Sequence, residues 1–393
     1  MGSESIKAVS DDFSSFLAAA SKVQIAAGGQ HSFIILDGKM YSTGNNDSGQ
    51  LGLGDKHSRA DFSPVKFDLP VDSFFAGLDY SMLLSKGKLY IAGNNENSQL
   101  GIEIPNFESD YGWTFTTFTP SGAVADQHGD IVSIAGGNNH SFLVTSKGVL
   151  YGSGSDNKGQ LGGAGTMLSE VKEEGVYTPI YVPVTDGPFH YNVKSVVAGN
   201  DCSILLTNSG EVYSAGNNNH GQLGFGDYKD NEGFTKISVK NVKSIALQWD
   251  HSLLLTEDGH IYATGNNNYG QLGLGDKENR DIFTQVPNAP TNVKSIVAGT
   301  YSSYLITKEG KVFVAGLNNR GQLGLGSFSA SEYNTFTELK NVTTHVKHIS
   351  AGIGYALLLT EDGNVFGVGL NNTGQLGIDH LYSFTQIPLP HTK

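Results

Sequence analysis

Seven pairs of residues that could do chemistry recur at one register of the chain, each opening a short apolar segment. They combine carboxylates, imidazoles and aromatic rings, and read Gln30-His31, Asp79-Tyr80, Asn139-His140, Asp201-Cys202, Asp250-His251, Tyr301-Ser302 and Gly354-Tyr355. Nucleophilic catalysis needs a nucleophile, a base and an orienting group together, and no such trio stands out. No glycine-rich loop has the pattern of a phosphate cradle. We therefore expect side chains that serve recognition, and no enzyme with a substrate of its own.

Metal binding is the weakest interpretation of the same residue types. His345 and His348 are separated by two residues and lack partnering ligands. The segment GNNDSGQLGLGD, which begins at Gly44, faintly resembles a calcium-binding loop. Copies of this segment that lack its carboxylates nevertheless keep the same pattern. We expect neither a metal nor an organic cofactor.

An internal repeat sets the spacing of these residues. The segment GNNNHGQLGFGD begins at Gly216, and related segments begin at positions 44, 93, 154, 265, 316 and 369. A Gly-Gln-Leu-Gly core or a close variant of it occurs in all seven. A period of about 50 residues in a glycine-rich chain indicates a solenoid or a propeller. We expect the repeated leucines to fill the gaps between neighbouring units, and the asparagines to hydrogen-bond their own loops.

Each unit contains four predicted strands, and the sixth unit shows them best. The first two are 293–299 and 302–307, followed by a Lys308-Glu309-Gly310 turn, a third strand at 311–316 and an outer strand at 336–339. A four-strand unit cannot bury its apolar face alone, so seven units that fill residues 22–390 predict one closed body. Closure could use direct packing of the first unit on the last, or a shared terminal strand at 384–390.

Composition narrows the classes of function further. The chain of 393 residues has a formal net charge of −13, 51 glycines and one cysteine, Cys202. Direct DNA binding is disfavoured because no basic stripe or tail is visible. The single cysteine excludes an internal disulfide, and neither a membrane span nor a signal peptide is visible. We expect an intracellular monomer, cytoplasmic or nuclear, with a tail or short helix at 1–21 and one repeat domain at 22–393.

The repeat resembles that of the regulator of chromosome condensation 1 family. The resemblance rests on the pattern A-G-x-x-H-S-x-x-L-x-T, then x-V-Y-x-x-G-N-N, then x-G-Q-L-G, which recurs seven times over nearly the whole chain. It implies an all-β fold, a seven-bladed β-propeller of four-stranded antiparallel blades. The founding member is a guanine-nucleotide exchange factor for the small GTPase Ran, and other members are domains of ubiquitin ligases.

The resemblance also implies where a GTPase would bind. In the exchange factor a short wedge follows the glycine that closes the third blade, and Ser155, Asp156, Asn157 and Lys158 occupy that place here. Asp201 matches the acid of the next blade, whereas Asn138 stands where the exchange factor has an acid. Tyr301 and Ser302 stand where histidines are expected.

In an up-and-down blade the turn before the second strand and the Gln-Leu-Gly loop lie at the same end. One rim should therefore collect the variable pairs, and its carboxylates and aromatic rings suit a protein partner with a basic patch. The expected partner-binding residues are Asp79, Tyr80, Asn138, His140, Ser155, Asp156, Asn157, Lys158, Asp201, Trp249, Asp250, His251, Tyr301 and Tyr355. The histidines could instead be buried residues that hold the turn by hydrogen bonds. The two functions that fit this rim are a guanine-nucleotide exchange factor for a small GTPase, of the Ran type or related, and a non-catalytic scaffold for protein interactions.

Overall fold

The computed structural model describes residues 23–102, 114–121, 129–163, 178–180, 192–326, 330–379 and 381–390. Within these residues the chain forms seven sheets, each made of four strands in sequence order with antiparallel pairing. The predicted seven-bladed all-β propeller is therefore confirmed. The expected tail or helix at 1–21 lies outside the described residues.

The strands are numbered in chain order, four to a blade. Blades 1 to 3 contain β1 (Val23–Ala27), β2 (His31–Leu36), β3 (Lys39–Gly44), β4 (Arg59–Val65), β5 (Ser73–Ala76), β6 (Tyr80–Ser85), β7 (Lys88–Asn94), β8 (Thr114–Pro120), β9 (Ile131–Gly136), β10 (His140–Thr145), β11 (Leu150–Gly154) and β12 (Thr178–Ile180). Blades 4 and 5 contain β13 (Val193–Ala198), β14 (Cys202–Thr207), β15 (Val212–Gly216), β16 (Asn231–Lys236), β17 (Val242–Gln248), β18 (His251–Thr256), β19 (Ile261–Gly265) and β20 (Arg280–Gln285). Blades 6 and 7 contain β21 (Val293–Ala298), β22 (Ser302–Thr307), β23 (Val312–Leu317), β24 (Glu332–Glu338), β25 (Val346–Ala351), β26 (Tyr355–Thr360), β27 (Val365–Gly369) and β28 (Leu381–Gln386).

The turn between the second and third strands differs between early and late blades. In blade 1 Asp37 and Gly38 have φ angles of 52° and 78°. Two positive φ angles in a two-residue loop define a type I′ turn, whose twist matches that of the strands. In blade 5 the turn is longer, and Gly259 N–H donates to the carbonyl of Thr256 at 3.0 Å.

The Gln-Leu-Gly loops act as the sequence predicted. The leucines are fully buried in six blades, namely Leu51, Leu100, Leu223, Leu272, Leu323 and Leu376. Leu272, for example, packs with Leu253 of its own blade and with Ile296 of the next. The side chain of Asn267 fixes the loop, because its Oδ1 accepts a hydrogen bond from the Leu272 N–H at 3.0 Å. The repeated residues thus hold blades together.

A second set of buried bonds joins the blades near the axis. His31 Nε2 lies 2.9 Å from Ser81 Oγ of the next blade, and the Tyr80 hydroxyl lies 2.8 and 3.0 Å from the carbonyl oxygens of Gly137 and His140. His140 and His251 contact Ser203 and Ser303 in the same way, at 2.8 and 2.9 Å. In these blades the first residue of the second strand is therefore a joint to the following blade.

The ring closes by direct packing of blade 7 on blade 1, and strand β28 pairs within its own blade. The Tyr355 hydroxyl lies 2.6 Å from the carbonyl oxygen of His31 and 3.1 Å from that of Gly28. Ser350 Oγ accepts a hydrogen bond from the Ala27 N–H at 2.9 Å. Of the two closures left open by the sequence, the structure has direct packing.

Phe115 and Phe118 lie in the outer strand of blade 2 and not on a separate binding loop. Phe118 packs edge-on against Phe33 and Phe74, with ring centroids 6.1 and 5.9 Å away. Phe115 packs partly buried against the core shared by blades 2 and 3. These two rings therefore belong to the scaffold.

Candidate functional site

One end of the blades gathers the variable residues, and we call it the rim. In blade 1 the first residue of β2, His31, pairs with the last residue of β3, Gly44. The loop that follows Gly44 begins with a hydrogen bond from the Asn45 N–H to the carbonyl of Gln30 at 2.8 Å. The turn before each second strand and the Gln-Leu-Gly loop thus lie together. The turns between second and third strands lie at the opposite end, which we call the hairpin face.

Neighbouring blades meet on the rim through one variable position of the loop. This position is the second residue before the glutamine of Gln-Leu-Gly, and it faces the turn of the next blade. The pairs in contact are Asn97 with Asn139, His220 with Asp250, Tyr269 with Tyr301 and Thr373 with the carbonyl of Gln30. At these four boundaries the rim therefore carries a row of side chains that crosses from one blade to the next.

Lys158 and Asp201 form the part of this row between blades 3 and 4. Lys158 Nζ donates to Asp230 Oδ2 at 3.0 Å, and Gln160 Nε2 donates to Asp201 Oδ1 at 3.3 Å. Burial raises the pKa of Asp201, and the positive charge of Lys158 partly opposes that rise. Asp201 is thus a half-buried carboxylate whose charge is incompletely solvated.

Asp250 continues the row at blade 5. The residue is 9% exposed, and its Oδ2 lies 3.5 Å from His220 Nδ1. Burial raises the pKa of Asp250; His220 opposes that rise, and the charge of Asp201 adds to it. A largely buried carboxylate whose pKa is raised by burial and by a second carboxylate is a feature common at functional sites.

Three aromatic rings adjoin these acids. The ring centroids of Trp249 and Tyr301 are 6.4 Å apart, and those of Tyr269 and Tyr301 are 5.0 Å apart. All three side chains are partly exposed. Tryptophan and tyrosine are enriched among the residues that dominate interface energies. The structure thus brings Lys158, Asp201, Trp249, Asp250 and Tyr301 into one neighbourhood across blades 3 to 6.

Two other predicted residues lie on the rim, Asp79 outside this neighbourhood and Asn138 in a cavity whose lining also includes Trp249. The Asp79 carboxylate in blade 2 accepts a hydrogen bond from Asn94 Nδ2 at 2.8 Å, and burial raises its pKa. The Asn138 side chain in blade 3 donates to Asn200 Oδ1 at 2.6 Å. Both side chains are half-buried and can still meet a partner.

Four of the expected partner-binding residues are buried joints, and the expectation for them is wrong. Tyr80, His140 and His251 are 0% exposed and Tyr355 is 1% exposed. One polar atom of each side chain bonds to the neighbouring blade, and burial leaves no surface for a partner. The structural interpretation of the histidines at this register is the right one.

The loop 155–158 does not form a distinct wedge. Asp156 Oδ1 accepts a hydrogen bond from the Leu161 N–H at 2.9 Å, just as Asn46 Oδ1 accepts one from the Leu51 N–H at 3.0 Å in blade 1. Asp156 is therefore a residue of the scaffold. Ser155 and Asn157 hydrogen-bond each other at 3.1 Å, and Asn157 is exposed. Lys158 is therefore the main residue of this loop that can contact a partner.

Sequence reasoning missed His220 and Tyr269. Both occupy the same loop position as Lys158, which varies among the seven copies as much as the turn pairs do. Comparison of that position between the copies would have found them. Their absence from the expected set came from treating the whole loop as scaffold, apart from its third copy.

The comparisons with known proteins decide the family. A family model described as the RCC1-like domain matches residues 5–327 and 131–392. The chain belongs to this family. A bifunctional serine/threonine-protein kinase/NEDD4-like E3 ubiquitin-protein ligase of Dictyostelium discoideum is 41% identical over 259 residues, 66% of this chain and 13% of the relative.

Two further proteins are similar to this chain. The secretion-regulating guanine nucleotide exchange factor of Bos taurus is 39% identical over 89 residues, 22% of this chain and 19% of the relative. This RCC1-like chain thus spans less than a fifth of either curated relative. The crystal structure of Prp20p from Saccharomyces cerevisiae superposes with a TM-score of 0.71 and 22% identity, covering 90% of this chain and 84% of Prp20p. That likeness shows the fold.

Other features of the RCC1-like chain bear on its chemistry. Cys202 is buried, and burial raises the pKa of its thiol. In the part of the chain that the structure describes, no three His, Cys, Asp or Glu side chains cluster in a way that could hold a metal ion. The same part has no helix that is long and apolar enough to cross a membrane.

Proposed function

We propose that this RCC1-like propeller is a guanine-nucleotide exchange factor for a small GTPase, of the Ran type or related. It holds the nucleotide-free GTPase on the rim of blades 3 to 6. The observation that carries the proposal is the gathering of Asp201, Asp250, Lys158, Trp249 and Tyr301 on one rim of a family member. Two similar proteins support it, because the bovine relative is a guanine nucleotide exchange factor and Prp20p has binding properties to Gsp1p and histones.

Exchange requires differential binding and no covalent chemistry by the propeller. A factor that binds the nucleotide-free GTPase better than the loaded form weakens nucleotide binding by the same factor. Accelerating release by about five decades takes roughly 7 kcal/mol. Partly exposed ion pairs such as Lys158–Asp230 contribute only ~0–1 kcal/mol each. The aromatic rings must therefore supply most of the anchor, and the carboxylates steer and orient the partner.

A non-catalytic interaction module is the second candidate. It is favoured by the Dictyostelium relative, a kinase and ubiquitin ligase in which the matching region is 13% of the length. A propeller in such a protein can serve as the part that selects a partner. The same rim would then bind a protein without releasing nucleotide from it.

Release of a fluorescent guanine nucleotide from Ran and from a panel of small GTPases separates the two candidates. We expect strong acceleration with one GTPase, and a loss of at least tenfold in Asp201→Asn. The melting temperature of Asp201→Asn should stay equal or rise, because the pKa of Asp201 shows that burial disfavours its charged form. Glu257→Ala is the control, since Glu257 is exposed on the hairpin face. No acceleration with any GTPase would contradict the exchange function and would leave the non-catalytic interaction module as the remaining candidate.

A further inference from the structure

Blade 5 has a turn unlike those of the other blades. In blade 4 the strand pairing ends at Ala198 and Ser203, and one hydrogen bond from the Gly199 N–H to the Cys202 carbonyl at 2.9 Å closes the turn. In blade 5 the strand pairing itself continues to Gln248 and His251, on either side of Trp249 and Asp250. Trp249 consequently has a φ of 55°, a left-handed conformation that is an outlier for a bulky side chain.

The Trp249 carbonyl accepts a hydrogen bond from the Asn200 N–H at 3.0 Å, but the Trp249 side chain does not serve the core. Its side chain is partly exposed, and its ring contacts are with Tyr301 on the rim. A glycine would adopt the same backbone conformation without strain. Strained backbone that the fold does not require is a motive to look for function at that position.

The surroundings of Trp249 define the chemistry that it can bind. Tyr301 lies beside it and Tyr269 lies beyond Tyr301, so the three rings form a partly exposed aromatic surface. Asp250 follows Trp249 directly, and its charge raises the pKa of the Tyr301 hydroxyl, after burial and the influence of Tyr269. An aromatic surface with a poorly solvated carboxylate at its edge attracts a cation.

We propose that Trp249, Tyr269 and Tyr301, with Asp250, bind an arginine side chain of the partner protein. The inference deepens the proposed function, because it names the group that the partner places on this rim. A guanidinium is planar and weakly hydrated, stacks on aromatic faces and donates hydrogen bonds to a carboxylate at the same time. The net charge of −13 and the nearby carboxylate of Asp201 favour the same occupant.

The first test uses a probe that needs no GTPase. The peptide acetyl-Gly-Arg-Gly-amide is titrated into the protein, and the indole N–H signal of Trp249 is followed by NMR in a Trp113→Phe background. We expect a saturable shift with a dissociation constant in the millimolar range. The matched peptide with citrulline, a neutral isostere of arginine, should bind at least about tenfold more weakly. The Asp250→Asn variant should bind the arginine peptide more weakly to a similar extent.

Two results would overturn the inference. One is an equal response to the arginine and citrulline peptides, or no response to either. The other comes from Trp249→Gly, which we expect to leave the midpoint of urea unfolding equal or higher because it relieves the strained φ. A large fall of that midpoint would make the ring a structural residue. Because neither measurement contains a GTPase, failure of the exchange assay and failure of this inference can be told apart.

Discussion

Replacement of Tyr355 by alanine is expected to lower the free energy of unfolding by about 3–5 kcal/mol, the range for large buried aromatic side chains. Tyr355 is 1% exposed, and its hydroxyl reaches two carbonyls of blade 1. The alanine variant leaves a cavity and two buried acceptors without this donor. These losses fall at the boundary between the first and last blades, which share no strand.

Two variants make the Tyr355 prediction specific. Tyr355→Phe keeps the ring and should cost about 1–2 kcal/mol, the range for a buried group that loses its hydrogen bond. Ser302→Ala changes the same register in blade 6, where the Ser302 hydroxyl bonds Tyr304 of its own blade at 3.3 Å. Urea unfolding of all three gives the comparison. A cost for Tyr355→Ala no greater than that for Ser302→Ala would show that this contact does not close the ring.

Acid is expected to destabilise the fold well above the range in which carboxylates protonate. Burial lowers the pKa of His31 and His140 to about 3, and that of His251 and His348 to about 4. An unfolded histidine has a pKa of about 6.5. Below that pH the unfolded chain binds protons that the folded chain does not, so stability falls as the pH falls from about 6.5 towards 4.

The size of the acid effect follows from the same linkage. At pH 5 each such histidine should cost about 2 kcal/mol relative to pH 8, on the order of 8 kcal/mol for the four. The raised pKa values of Asp79, Asp201 and Asp250 act in the opposite direction. Urea unfolding between pH 7.5 and 5, compared between the unchanged protein and a histidine variant, therefore isolates the contribution of that histidine. His251→Gln should show a smaller pH slope than the unchanged protein, whatever its absolute stability, and an identical slope would contradict the assignment.

The sequence predicted the architecture because the same residue pattern recurs in all seven units. A feature that recurs in seven copies, such as the leucine of Gln-Leu-Gly, reveals its role without any other information. The closure of the ring occurs once, so it has no internal comparison. Direct packing and a shared strand were equally compatible with 384–390. Tyr355 makes the contacts that close the ring, and it stands at a position where other copies have histidine.

The site was predicted less well, for a physical reason. A polar or aromatic residue at a variable position can point to the next blade or to solvent. The residue type alone does not distinguish these two orientations. Tyr80 and Tyr301 occupy adjacent positions of the repeat in their blades. Tyr80 is nevertheless buried in a joint between blades, whereas Tyr301 lies on the rim. The strained turn at Trp249 depends on one extra strand pair in blade 5, where Gln248 stands in place of the glycine that the other six copies have.

The central claim is that the repeated residues hold the ring while the rim of blades 3 to 6 binds the partner. Amide hydrogen exchange of the chain, with and without nucleotide-free Ran or the GTPase that responds in the release assay, tests it most directly. The account predicts slower exchange at 155–160, 199–202, 248–251 and 300–302, and unchanged exchange at the hairpin turns 208–211, 257–260 and 308–311. Protection confined to the hairpin turns, or absent from the rim, would contradict it.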